Sequence, residues 1–72
     1  MKYGLIEAWI RSSKESEDTS IVIMNNGFQM KGALESITGE VLVIREKDTG
    51  NISLVNMANV STIKSENGKT KL

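Results

Sequence analysis

The stretch from Asn26 to Gly32 constrains the fold of this chain more than any other feature. An Asn-Gly pair is a preferred centre of a tight hairpin turn, because both residues accept positive φ angles there. A run of three β-branched residues and Met24, at 21–24, precedes the pair, and apolar and polar residues alternate from Phe28 onward. Alternation with period two is typical of a half-buried strand. We therefore predict two antiparallel strands, with Phe28 and Met30 in the core and a bend at Gly32.

Further segments complete the predicted secondary structure. Apolar residues recur at helical spacing near the start of the chain, which predicts an amphipathic helix over Tyr3–Ser13 with Trp9 as its anchor on the barrel. The unbroken apolar run Val41–Ile44 predicts a central strand that is buried on both faces. Two short strands are predicted over Ile52–Leu54 and Val60–Ile63. One short helix followed by five antiparallel strands makes the chain mainly β.

A five-stranded antiparallel sheet of this length is expected to curl into a strongly bent open barrel, with the helix across one end. The 72 residues form one small core, and without Cys or His the chain has neither disulfides nor the usual zinc ligands to support it. The open barrel also leaves edge strands whose backbone groups lack partners. Pairing of edges between copies would solve both problems, whereas a monomer with short, charged edges also fits the pattern.

The composition argues against catalysis. General acid-base and nucleophilic catalysis at neutral pH rely on His, Cys or an activated Ser or Lys, and the chain has no His and no Cys. A non-enzymatic protein without cofactor or metal is therefore predicted. Nine Lys and Arg balance nine Asp and Glu, so any contact with nucleic acid must be local. No segment is apolar enough for a membrane span or a signal peptide, which predicts a cytoplasmic protein without membrane contact.

The order of these features resembles that of the Sm-like family, which includes the bacterial Hfq proteins. The resemblance rests on a preceding helix and then, in order, on Asn26-Gly27, Gly32, Leu34, Glu35-Ser36-Ile37 and Val60–Ile63. It spans roughly residues 4–64. Residues 1–64 are accordingly predicted to be an Sm-like domain, and residues 65–72 a flexible tail.

The resemblance implies an SH3-like barrel that closes into a homo-oligomeric ring of about five to seven subunits, through pairing of the fourth and fifth strands of neighbours. The expected subunit-interface residues lie on those last two strands: Ile52, Leu54, Val60, Thr62 and Ile63. It also implies binding of single-stranded RNA, usually rich in uridine, around the pore through two loops that meet between subunits.

Five candidate RNA contacts stand at positions that match the family's binding residues: Thr38 and Glu40 in the first loop, Asn56 and Met57 in the second, and Arg11 near the helix end. A sixth, Lys31, is a candidate because it lies on the polar side of the second strand, where it would line a ring surface, and a solvated strand face also explains it. Glu40 replaces a residue that stacks on the base, and it brings a negative charge near incoming phosphates. The second loop has no cation. Two functions therefore stay open, a ring that binds single-stranded RNA and a ring scaffold or protein-assembly module without the RNA pocket.

Overall fold

The computed structural model describes residues 2–72, which form one helix and one antiparallel sheet. The elements, in chain order, are α1 (Gly4–Ser16), β1 (Ser20–Met24), β2 (Gln29–Thr38), β3 (Val41–Glu46), β4 (Ile52–Asn56), a 3-10 turn (Met57–Asn59) and β5 (Val60–Ser65). The strand order in the sheet is β4-β3-β2-β1-β5. The predicted class, mainly β with a short helix before five antiparallel strands, is confirmed.

The sheet curls because its two edge strands are joined by a very short connection. In a flat sheet, β4 and β5 would lie four strand spacings, or about 19 Å, apart. The 3-10 turn between them has three residues, and at the usual rise of such a turn these span only about 6 Å. The sheet therefore bends into an open barrel. Its core consists of Ile10 from α1 together with Val22, Leu34, Leu42, Ile44 and Val55 from the strands.

The prediction that Val41–Ile44 is the central strand, buried on both faces, is wrong. The middle position in the strand order belongs to β2. In β3, Leu42 and Ile44 are fully buried, whereas Val41 is 40% exposed. Burial alternates along β3 because only the face that carries Leu42 and Ile44 points into the core.

The helix continues three residues beyond its predicted end, to Ser16. Its polar last turn is stable because the N–H groups of Glu17 and Asp18 donate to the carbonyl oxygens of Lys14 and Ser13, with Glu17 in the left-handed region at φ 54°. The predicted anchor role of Trp9 is confirmed, since it packs against the core and its indole N–H donates to Ser20 Oγ at 3.1 Å. Within residues 2–72, no helix is long and apolar enough to cross a membrane.

Asp18 binds the segment that follows β5. Its carboxylate is buried and accepts hydrogen bonds from the Ser65 hydroxyl, from the backbone N–H groups of Asn67, Lys69 and Thr70, and from the Thr70 hydroxyl. We call these contacts the Asp18 latch and residues 66–72 the C-terminal segment. The flexibility predicted for residues 65–72 stays a prediction, which hydrogen exchange of these amides would measure.

The Asp18 latch predicts how stability depends on acid. The hydroxyl of Ser65 and the N–H and hydroxyl of Thr70 hold the pKa of Asp18 well below its ordinary value, although burial opposes this. Since the folded state lowers the pKa, the stabilisation is complete above the ordinary pKa of aspartate, about 4, and is lost as the pH falls below it. Thermal melts between neutral and strongly acidic pH should show this loss.

The matched variants are Asp18→Asn and Glu15→Gln, each of which removes one carboxylate charge. We expect Asp18→Asn to lower the melting temperature at neutral pH by roughly 5–10 °C and to flatten its fall in acid. Glu15 is exposed, so Glu15→Gln should follow the wild-type curve. An acid profile of Asp18→Asn that parallels the wild type would contradict the assignment.

Candidate nucleic-acid interface

Four of the predicted RNA contacts meet at one end of the barrel. Thr38 is the last residue of β2 and pairs with Val41, which in turn pairs with Asn56 on β4. The backbone N–H of Met57 donates a hydrogen bond of 2.8 Å to the carbonyl oxygen of Glu40. The two loops that the resemblance indicates are therefore in contact within this chain.

Asn56 has a structural task in this cluster. Its Oδ1 accepts a hydrogen bond of 2.9 Å from the N–H of Ala58 and so caps the 3-10 turn. Because Oδ1 is engaged in this hydrogen bond, the side-chain amide N–H groups of Asn56 are what can donate hydrogen bonds to a base. Met57 packs against the core. The two loops thus offer a base some hydrogen bonding and no flat ring to stack on.

Glu40 carries the charge that matters most for an anionic ligand at this end. Lys2 Nζ lies 2.9 Å from Glu40 Oε1, and the Tyr3 hydroxyl donates to the same oxygen at 3.3 Å. The hydrogen bond from Lys2 holds the pKa of Glu40 below its ordinary value, so the carboxylate is ionised at neutral pH. Both charged side chains are more than half exposed, which screens the pair. Lys2 offsets the charge of Glu40 without giving the cluster a positive surplus.

Arg11 lies away from this cluster. It is exposed on α1 and lines a shallow hollow of about 260 Å³ together with Glu7, Lys14 and Glu35. In this hollow, the Lys14 ammonium donates to the backbone carbonyl of Glu35 at 2.7 Å. Two carboxylates balance the two cations, so this side of α1 has no concentrated positive charge with which to attract phosphates.

Lys31 lies on a third part of the surface, in a hollow that it lines together with Phe28. Phe28 is 61% exposed, so its predicted position in the core is wrong. Together with it, Met24, Asn25, Asn26 and Asn59 line a hollow of about 330 Å³. A second hollow, of about 290 Å³, is lined by Phe28, Gln29, Met30, Lys31, Glu46 and Asp48. We call the surface formed by these two hollows the Phe28 face.

The hairpin turn fixes the backbone of Phe28. The N–H of Met24 donates to the carbonyl of Phe28 at 2.8 Å, and the N–H of Phe28 donates to Asn26 Oδ1 at 3.0 Å. Gly27 supplies the positive φ of 89° that the turn requires. The N–H of Asn25 joins the turn to a carbonyl of the 3-10 turn at 2.8 Å. An aromatic ring on a fixed backbone loses little freedom when a base stacks on it.

Phe28 is exposed although the alternation of β2 places it on the inner face, because it lies before the first paired residue of the strand. Leu34 is fully buried and Met30 half-buried, so the phase of the strand would put Phe28 inside. Regular pairing of β2 starts only at Gln29, however, and burial falls toward the turn. Its place directly after the Asn-Gly pair is the signal that could have found it, because residues beside a hairpin turn lie at the rim of a barrel.

The predicted subunit-interface residues lie on the two edge strands. On β4, Ile52 is 49% and Leu54 is 70% exposed. On β5, Thr62 is exposed, whereas Val60 and Ile63 are half-buried. A groove of about 320 Å³ beside β5, which we call the β5 groove, is lined mainly by apolar side chains: Leu5, Ile6, Trp9, Val60, Ile63 and Leu72.

A helix followed by one curled sheet of five antiparallel strands, with β4 and β5 at its edges, is the Sm-like fold. The chain is similar to a crystal structure of Hfq, a pleiotropic translational regulator, with a TM-score of 0.66 and 25% sequence identity, covering 82% of this chain and 93% of that one. No family model matches the chain, and no curated protein matches it. The resemblance to the Sm-like family is confirmed at the level of the fold.

Proposed function

We propose that this chain is the subunit of a homo-oligomeric ring that binds single-stranded RNA on its Phe28 face. The observation that carries the proposal is an exposed aromatic ring, 61% accessible, on a hairpin with side-chain amides and Lys31 around it. Aromatic side chains flanked by hydrogen-bonding groups are how proteins hold unpaired bases. Similarity to Hfq, a translational regulator, supports RNA as the partner. Location in the cytoplasm stays a prediction.

Charge and stacking together set the strength expected of one subunit. Stacking of a base on an aromatic side chain contributes roughly 1–3 kcal/mol, which by itself corresponds to binding weaker than about 1 mM. Lys31 adds a positive charge, but Glu46 and Asp48 on the same face oppose it. One subunit should therefore bind weakly, whereas identical sites repeated around a ring raise the effective concentration along one RNA strand.

The ring follows from the two unpaired edges of the sheet. Within residues 2–72, β4 and β5 each have a neighbouring strand on one side only. Exposed edge strands invite pairing, and a contact between two different edges of identical chains can close into a ring. The edges also match in character, because β4 presents Ile52 and Leu54 and the β5 groove is apolar. We place Leu54 of one subunit in the β5 groove of the next.

The alternative, a ring that serves only as a scaffold, is favoured by one observation. The loop cluster at Thr38, Glu40, Asn56 and Met57 keeps the position of the family's pore-side site but holds an ionised carboxylate and no stacking group from those loops. Pore-side binding of uridine-rich RNA is therefore not part of the proposal. The Phe28 face is what separates the two functions.

Fluorescence anisotropy with labelled oligo-U and oligo-A at several salt concentrations tests the RNA site. We expect the assembled protein to bind at least one of the two, with a shallow salt dependence because the face has little net charge. Phe28→Ala should weaken binding by about tenfold or more, since each stacked base loses its platform. Native mass spectrometry of the same samples gives the subunit count.

Phe28→Tyr is the matched control, because it keeps a flat ring at the same exposed position. It should bind within about threefold of the wild type, since the stacking surface is preserved. Absence of binding to either oligonucleotide at low salt would favour the scaffold. Wild-type affinity in Phe28→Ala would show that any RNA site lies elsewhere.

A further inference from the structure

The Asp18 latch holds the C-terminal segment against α1 and so sets the position of Leu72. Thr70 is buried, and its N–H and hydroxyl each donate to Asp18 at 2.9 Å. The next residue, Lys71, is tied to α1, because the Ser12 hydroxyl donates to its carbonyl at 2.7 Å and accepts from its N–H at 3.1 Å. Leu72 then lines the β5 groove, as does Leu5 of α1.

Leu72 gains little from this position within one chain. Leu72 is 71% exposed, and Leu5, on the same groove, is 74% exposed. Asp18 and Thr70, by contrast, are buried and hydrogen-bonded to each other. A buried latch therefore fixes an apolar side chain at the surface, next to an apolar groove and an unpaired strand edge. Surfaces of this kind mark sites that a partner covers.

We propose that the Asp18 latch completes the subunit interface by holding Leu72 as one wall of the groove that receives β4 of a second copy. The proposal rests on the ring proposed above. The occupant is a second copy because β4 has the exposed Leu54, which fits an apolar groove, and an unpaired edge, which supplies the backbone partners that the β5 edge lacks. Assembly then depends on Asp18, a buried residue with no direct contact to the neighbour.

The test compares Asp18→Asn with Glu15→Gln by two readouts. Amide hydrogen exchange at residues 69–71 reports the latch, and native mass spectrometry with sedimentation across protein concentrations reports assembly. Asp18→Asn should speed up the exchange and raise the protein concentration needed for assembly by about tenfold or more. Glu15→Gln, which loses the same charge from an exposed position of α1, should leave both unchanged.

Leu72→Asp tests the role of Leu72 in the β5 groove separately from the Asp18 latch. It remains informative if Asp18→Asn does not fold. Because Leu72 is largely exposed, the chain should fold with protected amides at 69–71 and yet assemble about tenfold or more weakly. Slow exchange in a folded Asp18→Asn would overturn the latch. The role of the latch in the interface would be overturned if Leu72→Asp assembled like the wild type. The same holds if a folded Asp18→Asn with fast exchange assembled like the wild type. A wild-type chain that is monomeric at every concentration would instead refute the ring.

Discussion

Replacing Gly32 with alanine is expected to destabilise the fold by about 3 kcal/mol or more, a large share of the stability that a chain of this size can have. A Cβ at this position would overlap the carbonyl oxygen of Arg45 and would lie 2.9 Å from its carbonyl carbon. Both are backbone atoms of β3, so no side-chain rotation can relieve the overlap. Gly32 also pairs with Ser20 on β1 and Glu46 on β3, so β2 is held from both sides.

Chemical denaturation of Gly32→Ala and Gly4→Ala separates this steric effect from the general effect of adding a methyl group. A Cβ at Gly4 meets nothing within 4 Å and lies in the first turn of α1, where alanine is the better helix former. Gly4→Ala should therefore be neutral or stabilising by up to about 1 kcal/mol. Equal stability of the two variants would show that β2 and β3 can separate without loss of the barrel.

The Asn26–Gly32 stretch made the hairpin predictable, because a tight turn depends on local backbone chemistry, whereas the bend at Gly32 stays a prediction. The predicted centre of the turn is wrong, because the Gly27 N–H donates to the carbonyl of Met24, which makes Asn25 and Asn26 the central residues. Gly27 follows them with a positive φ of 89°, whereas Asn26 has none. Gly32 does not have a positive φ, so no turn requires a glycine there. A glycine is needed because the backbone of Arg45 on β3 leaves no room for a side chain. Pattern alone indicates that a glycine in a strand has a role, but only the pairing with β3 identifies which role.

The site was harder to predict because it depends on where the strands end and on which distant segments meet. Phe28 follows the alternation of β2 but lies just before the first paired residue of that strand. It is therefore exposed although the alternation predicts that it is buried. Asp18 stands in a polar stretch that has no apolar pattern, and its partners lie about fifty positions away along the chain. Contacts of that kind leave no local periodicity. The edge strands were predictable as edges, whereas the groove beside β5 also needed the positions of α1 and Leu72.

Leu54→Asp is expected to abolish the proposed ring while leaving the subunit folded. Leu54 is 70% exposed on the edge strand β4, so within one chain the change removes little buried surface. In the proposed contact the same side chain enters the apolar β5 groove of the next subunit. The substitution would lose about 1.5–3 kcal/mol of leucine burial at every interface. It would also bring an unpaired carboxylate into an apolar site, at a penalty of several kcal/mol.

Thr49→Asp is the matched control, because it adds the same charge in the turn that precedes β4. The Thr49 hydroxyl accepts a hydrogen bond from the N–H of Asn51 at 3.1 Å, a role that a carboxylate can take over. Native mass spectrometry at micromolar protein should give a monomer for Leu54→Asp and the wild-type subunit count for Thr49→Asp, with the far-ultraviolet circular dichroism of a folded chain for both. Because loss of assembly itself lowers the melting temperature, the fold is judged at 25 °C. A ring of unchanged size in Leu54→Asp would place the subunit contact away from the outer edge of β4, and the β5 groove would then need another occupant.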